Sequence, residues 1–241
     1  MGRNLLTVKY IRNISYRVMN TLRHLALTLS GIFLKYQTKK SIRINLKYIF
    51  DFSAFNKRAL PKEFLFKPSK SFYNNCTNNL PLASLEIARH CKLPIPINIM
   101  HGLLNVPSKI IQLDIFNPDK PGQFIKLSIF EYFIYVNSEY GESITAAILS
   151  HEITHAFISY HNIEFKTKHF DKNKFAEQMT DLSTIALGLG DLLIKGNSYT
   201  CIRGDYEIRG NIGYLSDRKM KYAQRFMRLL FKEETIRQSK K

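Results

Sequence analysis

His151-Glu152-Ile153-Thr154-His155 puts two imidazoles and a carboxylate within five residues. In a helix, positions four apart lie one turn apart on one face, so His151 and His155 can bind a single metal ion. Glu152 sits one step round the helix, badly placed to bind the same ion but within reach of a water on it. Such a set suits zinc, which lowers the pKa of water toward about 7 and polarises a carbonyl. Glu152 would then take the water's proton and hand it to a leaving amine. The chemistry expected is hydrolysis of an amide. The plainer reading of the same residues is a pair of hydrogen-bonded core histidines.

A catalytic zinc commonly takes three protein ligands and keeps a fourth position open. Glu177 and Asp181 are four apart in a second helical pattern, so both carboxylates face the same way. Glu177 would complete the ligand set, and Asp181 would accept the outer N–H of His151 and fix its tautomer. His161 is the rival third ligand, ten residues after His151. That spacing serves metzincins, whose motif turns the chain at a glycine, and here the position is Ile158. Without the turn His161 lands roughly 280° round the helix from His151, facing away from the ion.

The order His151-Glu152-x-x-His155 and then Glu177-x-x-x-Asp181 resembles the gluzincin zinc metallopeptidases. Thr180 to Gly190 and Gly213 to Ala223 also resemble small HExxH proteins of bacteria, and the likeness covers roughly residues 85 to 230. Carried over from gluzincins, His151, His155 and Glu177 bind zinc and Asp181 supports a ligand. The chain lacks a clear match for the gluzincin His or Tyr that steadies the tetrahedral intermediate. Tyr160, Tyr206, Arg209 and Tyr214 are the candidates for that oxyanion donor.

Several elements must position these residues. Residues 142–160 contain no Gly or Pro, and Ile144, Ala147, Ile148, His151, His155 and Ile158 recur at helical spacing. Residues 174–190 read as a helix capped by Asp171 or Asn173 and ended by Gly188 and Gly190. Pro81 suits the start of a helix running to about Cys91. Lys109 to Asp114 and Ile129 to Val136 are rich in β-branched and aromatic residues and read as strands, with turn chemistry at Asn117 to Gly122 between them. Asp217 to Gln238 is a basic helix with an apolar stripe of Met220, Ala223, Met227, Leu230 and Phe231. The expected fold is α+β: a zincin-like domain with a small mixed sheet and an HExxH helix, preceded by a basic helical extension.

Charge divides the chain unevenly. Residues 1–85 carry fifteen Lys and Arg against two acids, and residues 86–241 carry twenty-one against seventeen. Val18, Leu22, Leu25, Leu29, Ile32 and Phe33 form a helical apolar stripe among Arg12, Arg17 and Arg23. This basic amphipathic pattern suits an anionic membrane surface, or docking on the domain with the bases in water. Its apolar core, Leu25 to Leu34, is too short to span a bilayer. Residues 41–80 read as a linker or irregular arm, which sets expected domains of 1–80 and 81–241. No nucleic-acid motif accompanies the interleaved basic and aromatic residues, so no nucleic-acid partner is expected. Cys76, Cys91 and Cys201 form no paired framework and fit a reduced compartment as small buried hydrophobes. The expectation is a cytoplasmic zinc metallopeptidase, peripheral to a membrane if the N-terminal helix binds one, acting on a peptide or protein. The alternatives are an inert zincin-like module that binds partners, and a membrane-surface or nucleic-acid binder whose zinc is structural.

Overall fold

A computed structural model of the chain describes residues 38–50, 64–94, 96–129, 131–165, 171–203 and 206–238. The chain divides into residues 1–42 and a compact unit of residues 43–241. The expected amphipathic helix over residues 18–33 lies outside the described residues.

The first described helix, α1, covers residues 38–50 and buries Leu46 and Ile49. α2 (Phe72–Asn78) and α3 (Leu80–His90) follow. Residues 41–50 and Phe72–Asn78 are thus helical where a linker or irregular arm was expected, and the compact unit begins at Arg43. Asn79 caps α3 by accepting the Leu82 N–H, and Pro81 sits in the first turn, where its missing N–H costs nothing.

Three strands make a mixed sheet in the order β1-β3-β2, with β1 (Ile97–His101) parallel and β2 (Gly122–Lys126) antiparallel to β3 (Tyr132–Val136). β3 is central and buried along its length. Lys109 to Asp114 is not a strand: Pro107 and Ser108 start a single helical turn, α4 (Ser108–Ile111). β-branched residues misled there because proline fixed a helical entry. α4 buries Ile110 with Met100, Val106, Ile125, Phe133 and Tyr135 against one face of the sheet.

α5 (Glu142–Tyr160) packs on β2, β3, α2, α3 and two later helices. Its bounds are those expected, but the stripe is not, because residues 145–154 are buried without a break. Ile144 and Ile158, expected in that stripe, are only half-buried. A helix buried all round belongs at the centre of a core, where each large apolar side chain contributes about 1.5–3 kcal/mol.

α6 (Lys172–Ala186) is capped by Asp171, whose carboxylate accepts the Lys174 N–H. It ends in a Schellman motif: Gly188 at φ +82° donates to Ile185, and Leu189 donates to Thr184. Gly190, expected to help end α6, instead opens α7 (Gly190–Lys195). A hairpin of β4 (Ser198–Arg203) and β5 (Tyr206–Asn211) and a long helix, α8 (Asp217–Gln238), complete the unit. The architecture is mixed α and β, with one small mixed sheet and several helices. Among the described residues no helix is long and apolar enough to cross a membrane.

Candidate metal centre

α5 and α6 lie side by side because small hydroxyl residues line their contact. Ser150 and Thr154 return their hydroxyls to carbonyls of α5, and Ser183 does so in α6. Thr184 Oγ1 lies 3.0 Å from Thr154 Oγ1, joining the helices without a bulky side chain between them. Such back-bonding satisfies the buried hydroxyls.

That contact sets His151 and His155 opposite Glu177 and Asp181. His151 Nε2 lies 3.1 Å from Glu177 Oε2, His155 Nε2 lies 3.1 Å from the same oxygen, and the two Nε2 atoms are 3.2 Å apart. A tetrahedral zinc with ligand bonds of about 2.0–2.1 Å spaces neighbouring ligand atoms about 3.3 Å apart. The triangle matches that spacing. One proton can bridge a single edge of it, whereas a divalent ion at its apex meets all three atoms. Among the described residues this is the grouping of His, Cys, Asp and Glu with metal-binding geometry.

The outer nitrogens fix which lone pairs face inward. His151 Nδ1–H donates to Asp181 Oδ1 at 3.1 Å. The other oxygen of Asp181 accepts the backbone N–H groups of Tyr214, at 2.6 Å, and Leu215, at 2.7 Å. Asp181 is fully buried, so this carboxylate has protein donors on both oxygens. On the second imidazole, His155 Nδ1 lies 3.5 Å from Thr180 Oγ1, which donates to the Ala176 carbonyl and keeps a lone pair for the ring. Phe124 of β2 stacks nearly parallel to the same ring, with centroids 6.3 Å apart.

Electrostatics follow from burial and pairing. Burial alone would lower the His151 pKa, but its bonds with Asp181 and Glu177, and the charges of Asp181 and Glu152, raise it to about 10. Burial alone would raise the Glu177 carboxyl, but hydrogen bonds with His151 and His155 hold it well below the usual range. The protein without metal thus keeps positive charge where a dication would supply it.

A cleft of about 480 Å³ opens over the triangle. Glu152, His151, His155 and Glu177 line it beside Lys120 to Phe124 and Asn211 to Tyr214. β2 comes so close to α5 that a Cβ at Gly122 would lie 2.2 Å from Ile148 Cγ2 and 3.3 Å from Glu152 Cγ. Only glycine fits this crossing. Tyr214 lines the opposite wall, half-exposed. Burial and then the negative charges of Glu177, Glu152 and Asp181 hold its phenol above the ordinary pKa. Asn197 steadies that wall: its carbonyl oxygens accept the N–H groups of Ile212 and Gly213, and its side-chain amide donates to Asp217.

The structure brings together His151, Glu152, His155, Glu177 and Asp181. His161 caps the end of α5, packed on the rings of Phe157 and Tyr160, outside the triangle. Of the oxyanion candidates, Tyr214 lines the cleft. Arg209 pairs with Glu207 on the exposed hairpin, Tyr160 is partly exposed at the end of α5, and Tyr206 opens β5. Sequence reading missed Thr180, Gly122 and Asn197. Thr180 carried a signal, one turn after Glu177 on the same helix face; Gly122 and Asn197 act through neighbours remote in sequence. No protein-family model, curated protein or solved structure matches the chain.

Proposed function

We propose that this protein is a zinc-dependent peptidase of gluzincin type, with His151, His155 and Glu177 as ligands and Glu152 as general base. The observation that carries the proposal is the triangle of two imidazole nitrogens and a carboxylate oxygen, at 3.1–3.2 Å, in the floor of a cleft that Glu152 also lines. Bound zinc would supply a Lewis acid that acidifies water and polarises an amide carbonyl.

The chain's own groups do the rest. Glu152 takes a proton from water and returns it to the leaving nitrogen. Tyr214, whose phenol holds its proton, donates to the oxygen on which negative charge develops. β2 offers the substrate an edge. Pro121 pairs with Asn137 and Leu127 with Glu131, so the backbone groups of Gly122, Phe124 and Lys126 turn away from β3. An extended peptide could pair there across the cleft.

Metal analysis of the purified protein beside Glu177→Ala and His161→Ala tests the ligand set. Near-stoichiometric zinc, lost with Glu177→Ala and kept with His161→Ala, is expected. Absence of bound metal in the wild type after zinc is supplied would sink the proposal. Glu152→Gln should keep the metal and lose cleavage of a peptide library. If the wild type binds zinc yet cleaves no more than Glu152→Gln, the inert binding module takes its place.

A further inference from the structure

Away from the cleft, α8 carries a second pattern. Arg218, Lys221, Arg225, Arg228 and Lys232 follow one another at steps of three and four and are all exposed. At 100° per residue these five fall within roughly 80° of arc, opposite the buried Met220, Ala223, Met227 and Phe231. At 1.5 Å per residue they span about 21 Å. Arg228 approaches Asp191 at 3.6 Å, and Glu233 is the exposed acid at the border of the stripe.

The same face also carries aliphatic side chains in water. Leu229 is 59% exposed and Ile236 46%, both beside the basic arc. α1 continues the surface: Arg43 hydrogen-bonds Tyr222 and lies over the rings of Tyr222 and Phe226, and Phe50 meets Phe231 edge-on. One turn on, Lys47 is exposed and Ile44 is 56% exposed. In sequence, residues 1–42 carry eight Lys and Arg and no acid.

We propose that the exposed face of α8, continued by Arg43, Ile44 and Lys47 of α1, is a contact surface for an anionic lipid bilayer. A helix lying in the interface needs bases level with the headgroups and aliphatic side chains below them. This face supplies both along one helix. A phosphodiester backbone would engage the bases and leave Leu229 and Ile44 in water, which favours lipid over nucleic acid. None of these residues belongs to the amphipathic pattern of residues 18–33, and the inference is independent of the peptidase reading.

Sedimentation of the full-length chain with vesicles tests it, using phosphatidylcholine alone or mixed with phosphatidylserine, at low and physiological salt. The wild type should bind the phosphatidylserine vesicles alone, less strongly at higher salt. Lys221→Gln with Arg225→Gln and Lys232→Gln should weaken binding about a hundredfold. Leu229→Asp should weaken it about tenfold or more. All these residues are exposed, so zinc content and circular dichroism should match the wild type. A control variant with Arg12, Arg17 and Arg23 changed to Gln separates the N-terminal stretch. Loss of binding in that control alone, with the α8 variants binding as wild type, overturns the proposal. So does failure of the wild type to bind phosphatidylserine vesicles, including the case where it binds a DNA duplex whether or not Leu229 is replaced.

Discussion

The two helices that meet at the candidate centre differ in depth. α5 is buried from Thr145 to Thr154 without interruption, whereas α6 is largely open through residues 172–178 and buried from Met179 onward. The imidazoles therefore project from a helix held on every side. Glu177 projects from the last open turn of its helix, and Asp181 from the first fully closed one. One carboxylate with 29% of its side chain exposed faces the cleft, and one with none ties helices to loop. Two acids four residues apart thus share a helix face and play different parts. Glu177 can exchange its partner, while Asp181 is committed to structure.

Replacing each acid in turn should separate these parts most sharply. Asp181→Ala would strand the His151 Nδ1–H and the N–H groups of Tyr214 and Leu215, at about 1–3 kcal/mol for each buried donor. A loss of about 3–9 kcal/mol is expected in urea unfolding of the metal-free protein. Glu177→Ala should remove zinc binding and cost far less of that stability. If Asp181→Ala costs under about 1 kcal/mol, the division between the two turns fails.

The pH dependence of stability sharpens the contrast. His151 has a pKa of about 10 in the folded chain against an ordinary 6.5, so the folded state keeps a proton that the unfolded state releases between these values. Its contribution is complete below pH 6.5 and is lost as pH rises through about 10, at up to about 1.4 kcal/mol per pH unit. Glu177, held below its ordinary 4.5, contributes above that value and loses its contribution as pH falls. The metal-free protein should therefore be most stable between about pH 4.5 and 6.5. Zinc requires neutral imidazoles, so above pH 6.5 neither the loaded protein nor the unfolded chain holds the His151 proton, and the loaded protein should keep a level stability where the metal-free form loses it. Urea midpoints taken with chelator should fall over this interval while those taken with zinc stay level; parallel slopes would count against the ligand set.

The smallest effect concerns the second imidazole. Thr180→Val keeps the volume of the side chain and removes the oxygen beside His155 Nδ1. Zinc affinity should fall about tenfold, at the lower end of what an orienting partner contributes. Competition against a chromogenic chelator would measure it. An unchanged affinity would mean that packing alone, including the stacked Phe124, orients His155.

What could be read from the sequence was what repeats locally. The bounds of α5 and α8, the Asp171 cap, the Gly188 ending and the facing of Glu177 and Asp181 all follow from contacts within a few residues. β1 and β2 were not visible, because five-residue strands beside Pro94, Pro96 and Pro121 show little alternation, and Gly122 reads as a turn until α5 is seen crossing it. β-branched propensity makes the α4 segment read as a strand, and the Pro107 entry overrides it. The link from Asp181 to Tyr214 spans thirty-three residues and has no local pattern to betray it. Tyr214 could be no more than one of four candidates until that link placed it at the cleft.

That link also sets an order of events during synthesis. Both histidines and Glu177 are made before the loop whose N–H groups engage Asp181. At about 5–20 residues per second, Leu215 is joined to the chain about 2–8 s after Glu177. A nascent chain meeting zinc in that interval would hold the three proposed ligands with Asp181 still unanchored. It would capture the ion loosely and release it readily, and would retain it only after translation has passed the Tyr214 turn.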